Sequence, residues 1–178
     1  MGDLGDRLAN GEPAAFAELY DHCADRLHPY LAARLGSAAD ADDVIQETFV
    51  RLARSRPKLA KVDNLVAYVF TVARNEAARL QKGNKREAAA RDPASPAAAL
   101  EQAVADADHD LRDTAQAVRS ALAGLSTAER ELIELKYFAG LTLREIAEIT
   151  GLPPGTVATR YRTALARLRE RLQRNCHE

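Results

Sequence analysis

The sequence predicts an all-α protein made of two small helical domains joined by a flexible acidic linker. Three observations lead there. Aromatics make up 5% of the chain, Trp is absent and alanine is abundant, a composition that favours helices over sheets. Apolar residues recur at three- and four-residue steps in both halves, the period of a helix with one buried face. Two helix starts are written as capping boxes, Ser126-Thr127-Ala128-Glu129 and Thr142-Leu143-Arg144-Glu145. In each, a hydroxyl stands three residues before a carboxylate, and each side chain satisfies a backbone amide that the helix leaves free. With 178 residues and 47% hydrophobic content, the chain can bury one medium core or two small ones.

The first helix is expected over residues 13–35, where Phe16, Leu19, Tyr20, Cys23, Leu27, Tyr30, Leu31 and Leu35 form one apolar face. Pro29 sits inside it and should kink or break it near residues 24–28. Gly36-Ser37 ends it, and Asp40 can cap the next helix, over residues 41–54. There Val44, Ile45, Thr48, Phe49 and Leu52 are placed inward, with Asp42, Asp43, Gln46, Glu47 and Arg51 outward. A loop over residues 57–63 carries Lys58 and Lys61. Asp63 or Asn64 then caps a third helix, with Leu65, Val66, Val69, Val72, Ala73 and Leu80 on its buried side. These helices form a first domain over residues 1–87.

Residues 88–110 contain two prolines, many alanines and hardly any large apolar side chain, and read as a tether. A second domain over residues 111–178 begins with an amphipathic stretch through Leu111, Val118, Ala121 and Leu122. Its helix from Thr142 stops at Gly151, suited to a left-handed cap, and after Leu152-Pro153 the next helix opens at Pro154. A short helix, a tight turn and a longer helix with arginines is the helix-turn-helix pattern. Ile146, Ala147, Ile149, Leu152, Val157, Tyr161, Leu165 and Leu168 are placed toward the core. Thr156, Ala158, Thr159, Arg160 and Arg162 are left at the exposed start of the last helix, the part that enters a major groove in such motifs.

Charge is segregated. The formal net charge is -1, yet Arg74, Arg79, Lys82, Lys85, Arg86 and Arg91 face only Glu76 and Glu87. Asp92, Glu101, Asp106, Asp108, Asp110 and Asp113 then stand against Arg112 alone, and the chain turns basic again beyond Gly155. Local field decides where phosphate binds, so two basic blocks predict two nucleic-acid contacts. No run of about eighteen apolar residues offers a membrane span. The first residues are acidic and lack an apolar core, so no signal peptide is expected, and a myristoylation pattern fails as well. Cys23 and Cys176 make no ligand spacing, which together predicts a reduced, cytoplasmic protein. His22, His28, His109 and His177 form no catalytic or metal arrangement, and no nucleotide loop or nucleophile elbow occurs. Neither an enzyme nor a metal or cofactor is expected.

Residues 125–172, LSTAERELIELKYFAGLTLREIAEITGLPPGTVATRYRTALARLRERL, strongly resemble region four of bacterial RNA polymerase sigma factors of the extracytoplasmic-function group. Residues 16–54 resemble their region two through Asp43-Val44-Ile45-Gln46-Glu47-Thr48-Phe49, and residues 67–75 resemble the helix that follows, ending in Ala73-Arg74-Asn75. The resemblance implies a sigma factor that binds core polymerase and directs promoter-specific initiation. It implies that Asp43, Gln46 and Glu47 contact the clamp helices of the largest subunit, with the flap of the second-largest subunit as a further contact. Lys58, Lys61, Asn64, Tyr68, Arg74, Asn75, Arg79 and Lys82 would hold the minus-ten element, where a flipped base needs hydrogen bonds and stacking. Thr156, Ala158, Thr159, Arg160 and Arg162 would read the minus-thirty-five element. The acidic tether would lie along the RNA-exit path of the polymerase, and an anti-sigma factor is a further partner the family admits.

Two departures stand out. Ala158 replaces the Lys or Arg that many members carry after Gly-Thr-Val, and Tyr68 stands where Trp is common. Promoter melting then falls to Tyr68, Phe70 or the loop, or is confined to favourable promoters. The alternative is a free-standing helix-turn-helix regulator that binds an operator. It leaves the outward face of residues 43–49 without a use.

Overall fold

The structure, a computed structural model, describes residues 2–89, 117–118 and 120–175. It is helical, with no strand among the described residues. The chain divides into two compact units, Met1–Pro96 and Ala97–Glu178. The expected tether lies outside the described residues from residue 90 onward, as does Leu111.

The first unit comprises α1 (Gly2–Ala9), α2 (Pro13–Leu35), α3 (Ala38–Arg54), a 3-10 turn (Arg56–Lys61) and α4 (Leu65–Ala89). Helices α2, α3 and α4 pack on one another, and α1 packs against the 3-10 turn and α2. Leu19, Cys23, Leu27, Tyr30 and Leu31 of α2 are buried with Val44, Ile45 and Leu52 of α3 and Val69, Phe70 and Ala73 of α4. The Tyr30 and Phe70 rings lie 5.9 Å apart, and the Arg26 guanidinium sits 5.9 Å from the Phe70 ring centre. Each large apolar side chain withdrawn from water here contributes about 1.5–3 kcal/mol, which is what holds three helices together.

Several expectations need adjusting. Helix α2 runs on through Pro29. The missing amide leaves the Asp25 carbonyl without its helical donor, but Asp25 is exposed and water can serve it. Tyr20 is 45% exposed, because it stands at the rim where α2 meets α3, its ring in an edge contact with that of Phe49 at 5.1 Å between centres. Helix α3 is capped by Ser37, not Asp40: the Ser37 hydroxyl accepts from the Asp40 amide at 3.1 Å, which starts the helix three residues earlier. Asn64 caps α4, its Oδ1 accepting from the Ala67 amide at 3.1 Å. The expected loop over residues 57–63 is largely the 3-10 turn, anchored by fully buried Leu59. Helix α1 has no counterpart in the sequence reading.

The second unit contains α5 (Thr127–Tyr137), α6 (Leu143–Thr150) and α7 (Pro154–Asn175). Both capping boxes are formed. The Ser126 and Thr142 hydroxyls accept from the Glu129 and Glu145 amides at 3.3 and 3.2 Å, and the carboxylates accept in return from the cap amides at 3.1 and 2.7 Å. Gly151 ends α6 at φ 68°, a left-handed conformation that any side chain would strain. Ile146, Ala147, Ile149 and Val157 are buried as the period requires, while Leu152, Tyr161, Leu165 and Leu168 are half-buried. Leu125, Ile133 and Ala164 form a cluster against which Leu122, Tyr161, Leu165 and Leu168 pack.

Candidate nucleic-acid and partner interfaces

Pro154 opens α7 where its missing amide costs nothing, and the Pro153 carbonyl accepts from the Thr156 and Val157 amides at 2.9 and 3.1 Å. Val157 is fully buried and fixes the rotation of the helix. Thr156 and Ala158 are consequently half-buried, and Thr159, Arg160 and Arg162 are exposed. The Arg162 Nε reaches back to the Ala158 carbonyl at 3.3 Å. The start of α7 thus presents two hydroxyls, two guanidiniums and the positive end of a helix dipole to solvent, a chemistry suited to phosphate and base edges. The arginines farther along behave differently. Arg167 donates to Glu129 on α5, Arg174 lies 3.5 Å from Glu170, and the Arg171 guanidinium occupies the space where a Gly124 side chain would stand. The Ser126 hydroxyl, with Arg167 beside it, holds the Glu129 carboxyl below the usual carboxylate range.

In the first unit, Lys58 and Lys61 are exposed on either side of buried Leu59. On α4, Tyr68, Asn75, Arg79 and Lys82 follow one another at steps of seven, four and three residues and so share a face. Tyr68 is half-buried and the other three are exposed. Arg74 is about 100° around the helix from Asn75 and half-buried, so it stands beside this stripe and not within it. Asn64 has its Oδ1 committed to capping α4. Arg79 shares the buried Glu76 carboxylate with Arg51 of α3, at 3.4 and 2.9 Å. Glu76 was not singled out by sequence, since its partner Arg51 lies in another helix.

On α3, Asp43, Gln46 and Glu47 fall at three- and four-residue steps; the first two are exposed and Glu47 half-buried. Beside them is an apolar lip at half-buried Phe49, to which the fold adds two exposed residues not foreseen in the sequence, Val50 at 41% and the outward Tyr20. An acidic strip with an apolar edge suits a protein partner that is basic around an apolar centre. Among the described residues no group of His, Cys, Asp or Glu is placed to hold a metal, and no helix is long and apolar enough to cross a membrane.

These surfaces coincide with two family matches. Residues 19–87 match Sigma-70 region 2, and residues 115–168 match Sigma-70, region 4. RNA polymerase sigma factor CarQ of Myxococcus xanthus is 31% identical over 170 residues, covering 94% of each chain. The ECF RNA polymerase sigma factor RpoE of Cereibacter sphaeroides is 33% identical over 168 residues, covering 90% of this chain and 88% of that one. Among solved structures, the sigma factor RpoE of Bartonella quintana, determined with the anti-sigma factor NepR, superposes with a TM-score of 0.64 at 26% identity. It spans 89% of this chain and 96% of that one. CnrH, determined with the cytosolic domain of CnrY, gives a TM-score of 0.70 at 24% identity over 97% of this chain and 96% of that one, which supports the fold. Two regions in order, each matched by its own family and both spanned by full-length relatives, leave one conclusion: the chain belongs to the extracytoplasmic-function group of RNA polymerase sigma factors, which bind core polymerase and direct promoter-specific initiation.

Proposed function

We propose a division of labour for this sigma factor in which α3 docks on polymerase, the 3-10 turn and α4 hold the minus-ten element, and the start of α7 reads the minus-thirty-five element. The observation that carries it is the contrast between two exposed surfaces. The α3 strip of Asp43, Gln46 and Glu47 is acidic with an apolar lip, and the start of α7 is made of hydroxyls and guanidiniums. The first repels phosphate and fits the clamp helices of the polymerase, and the second attracts phosphate. Arg74, Arg79 and Lys82 supply phosphate contacts, Lys58 and Lys61 on the turn reach base edges of the element, and Tyr68 and Asn75 supply stacking and hydrogen bonds to an extruded base. The flap of the second-largest subunit holds the second unit. An anti-sigma factor that covers the α3 strip is the natural inhibitor; a similar sigma factor was solved in complex with an anti-sigma factor. Work on polymerase places the chain in the cytoplasm, and its role is that of an initiation factor, not a catalyst. A free-standing operator-binding regulator is disfavoured, because it leaves the α3 strip idle.

Run-off transcription with core polymerase tests the assignment. Arg160→Ala and Arg162→Ala should each lower transcription from a promoter with a minus-thirty-five element by about tenfold to a hundredfold, from the loss of roughly 1–3 kcal/mol per base contact. Their binding to core polymerase should be unchanged. Glu47→Lys and Gln46→Ala should weaken that binding first. Identical behaviour of the two sets in a core pull-down would refute the division.

A further inference from the structure

Helix α1 packs against the 3-10 turn, and two glycines lie against that turn, one in the middle of α1 and one just past its C-terminus. A Cβ on Gly5 would stand 3.0 Å from the Leu59 carbonyl oxygen and 3.6 Å from the Ala60 Cα, backbone atoms that cannot swing aside. The absent side chain is therefore what lets α1 lie directly on the turn. Past the C-terminal end of α1, Gly11 adopts φ 79° and has the Arg56 guanidinium over it, where a Cβ would come within 2.7 Å of Nη1. Arg56 is the first residue of the turn, so the two glycines grip it at its start and at its middle. Leu8 and Leu59, one from each element, are fully buried.

Helix α1 is in turn locked to α2. The Arg7 guanidinium donates to both Glu12 oxygens, at 2.9 and 3.0 Å, and to Glu18 at 2.9 Å. Arg7 holds the Glu12 carboxyl below its ordinary range, the mark of a formed pair. None of these residues offers anything to DNA. Yet Lys58 and Lys61 ride on the backbone that α1 supports. A 3-10 turn has poor internal hydrogen bonding and needs outside support to keep one shape.

We propose that α1 is a positioning element for promoter recognition: Gly5 and Gly11 set the height and tilt of the turn that carries Lys58 and Lys61, and so set discrimination at the minus-ten element. The inference rests on the assignment of that turn to minus-ten recognition made above.

The experiment uses the full-length chain with core polymerase and a promoter set altered either in the minus-ten or in the minus-thirty-five element. Gly5→Val should reduce the ratio of transcription from the intact promoter to that from minus-ten-altered promoters by about tenfold, the scale of one lost base contact. Gly5→Ala, which asks for a few tenths of an ångström, should fall between. Discrimination at minus thirty-five and affinity for core polymerase should not change. Loss of output in equal proportion on every promoter, loss of core affinity, or unaltered minus-ten discrimination overturns the proposal. Lys58→Ala with Lys61→Ala separates the two failures. If that double variant alters minus-ten discrimination and Gly5→Val does not, α1 is only structural. If the double variant has no effect, the assignment of the turn itself fails and the proposal with it.

Discussion

Cys23 lies fully buried in α2, and burial pushes its thiol up to about 11. The folded state therefore holds the neutral thiol, whereas the unfolded chain ionises near the ordinary value of 9.0. The resulting stability is complete below pH 9 and drains away as the pH rises toward 11. In a Cys176→Ser background, Cys23 should react with a thiol reagent only on unfolding. The unfolding free energy from urea titration should drop between pH 8 and pH 10 by on the order of 1 kcal/mol more than in Cys23→Ala. Other side chains show how placement decides function. Arg160 and Arg167 are seven residues apart on α7, yet one is open to solvent and the other is tied to Glu129. Tyr20 shares the apolar period of α2 and still faces outward. Periodicity cannot tell a core position from a rim position at the edge of a bundle.

At the scale of the element, the capping boxes join fold and site. Thr142→Ala removes the acceptor for the Glu145 amide and should cost about 1 kcal/mol. For a unit of this size that is a fall of roughly 4–8 °C in the melting transition of the helix-turn-helix, with the transition of the first unit unchanged. Glu129 adds a pH dependence. Its carboxyl is held below the ordinary value of 4.5, so its contribution is present above pH 4.5 and is lost as the pH falls through its lowered folded value. Thermal scans from pH 7 to pH 3 should show that loss in the wild-type chain and not in Glu129→Gln. Such boxes were legible in the sequence because hydroxyl and carboxylate are three residues apart; the Gly151 stop was legible for the same local reason. Helix α1 was not. It has eight residues, too few for an apolar period to register, and its reason for forming is the 3-10 turn some fifty residues farther along. The Arg167–Glu129 and Arg51–Glu76 pairs escaped for the same cause, since tertiary contact chooses their partners.

At the scale of the whole molecule, a net charge of -1 becomes compatible with DNA binding once charge is assigned to surfaces. Acidic side chains gather on α3 and basic ones on the 3-10 turn, the α4 stripe and the start of α7. The salt dependence of promoter binding by the polymerase complex reports how many of these meet phosphate. Each phosphate contact removed should lower the slope of log affinity against log salt by about 0.9. Lys82→Ala should lower it by about 0.9, and Arg79→Ala by less, because part of the Arg79 charge is already balanced by Glu76. Equal slopes for the wild-type chain and Lys82→Ala would mean that this lysine faces solvent in the complex. Both helical units and the helix-turn-helix were readable from sequence at this scale. The exposure of Tyr20 and Val50 beside Phe49 was not, because exposure of an apolar residue depends on what the rest of the fold leaves uncovered.

The split of α7 into an open start and an anchored remainder has a consequence for how such a protein diversifies. Arg167 ties the helix to α5 and Arg171 lies against Gly124 before it, while Thr159, Arg160 and Arg162 stand outside the packing. New promoter preferences can thus be written into one helical turn without reopening the core. A library randomised at positions 159, 160 and 162 would draw on variants that nearly all fold. The same helix serves as a fixed handle and an interchangeable key, and paralogous factors in one cell could diverge at the key while keeping the handle.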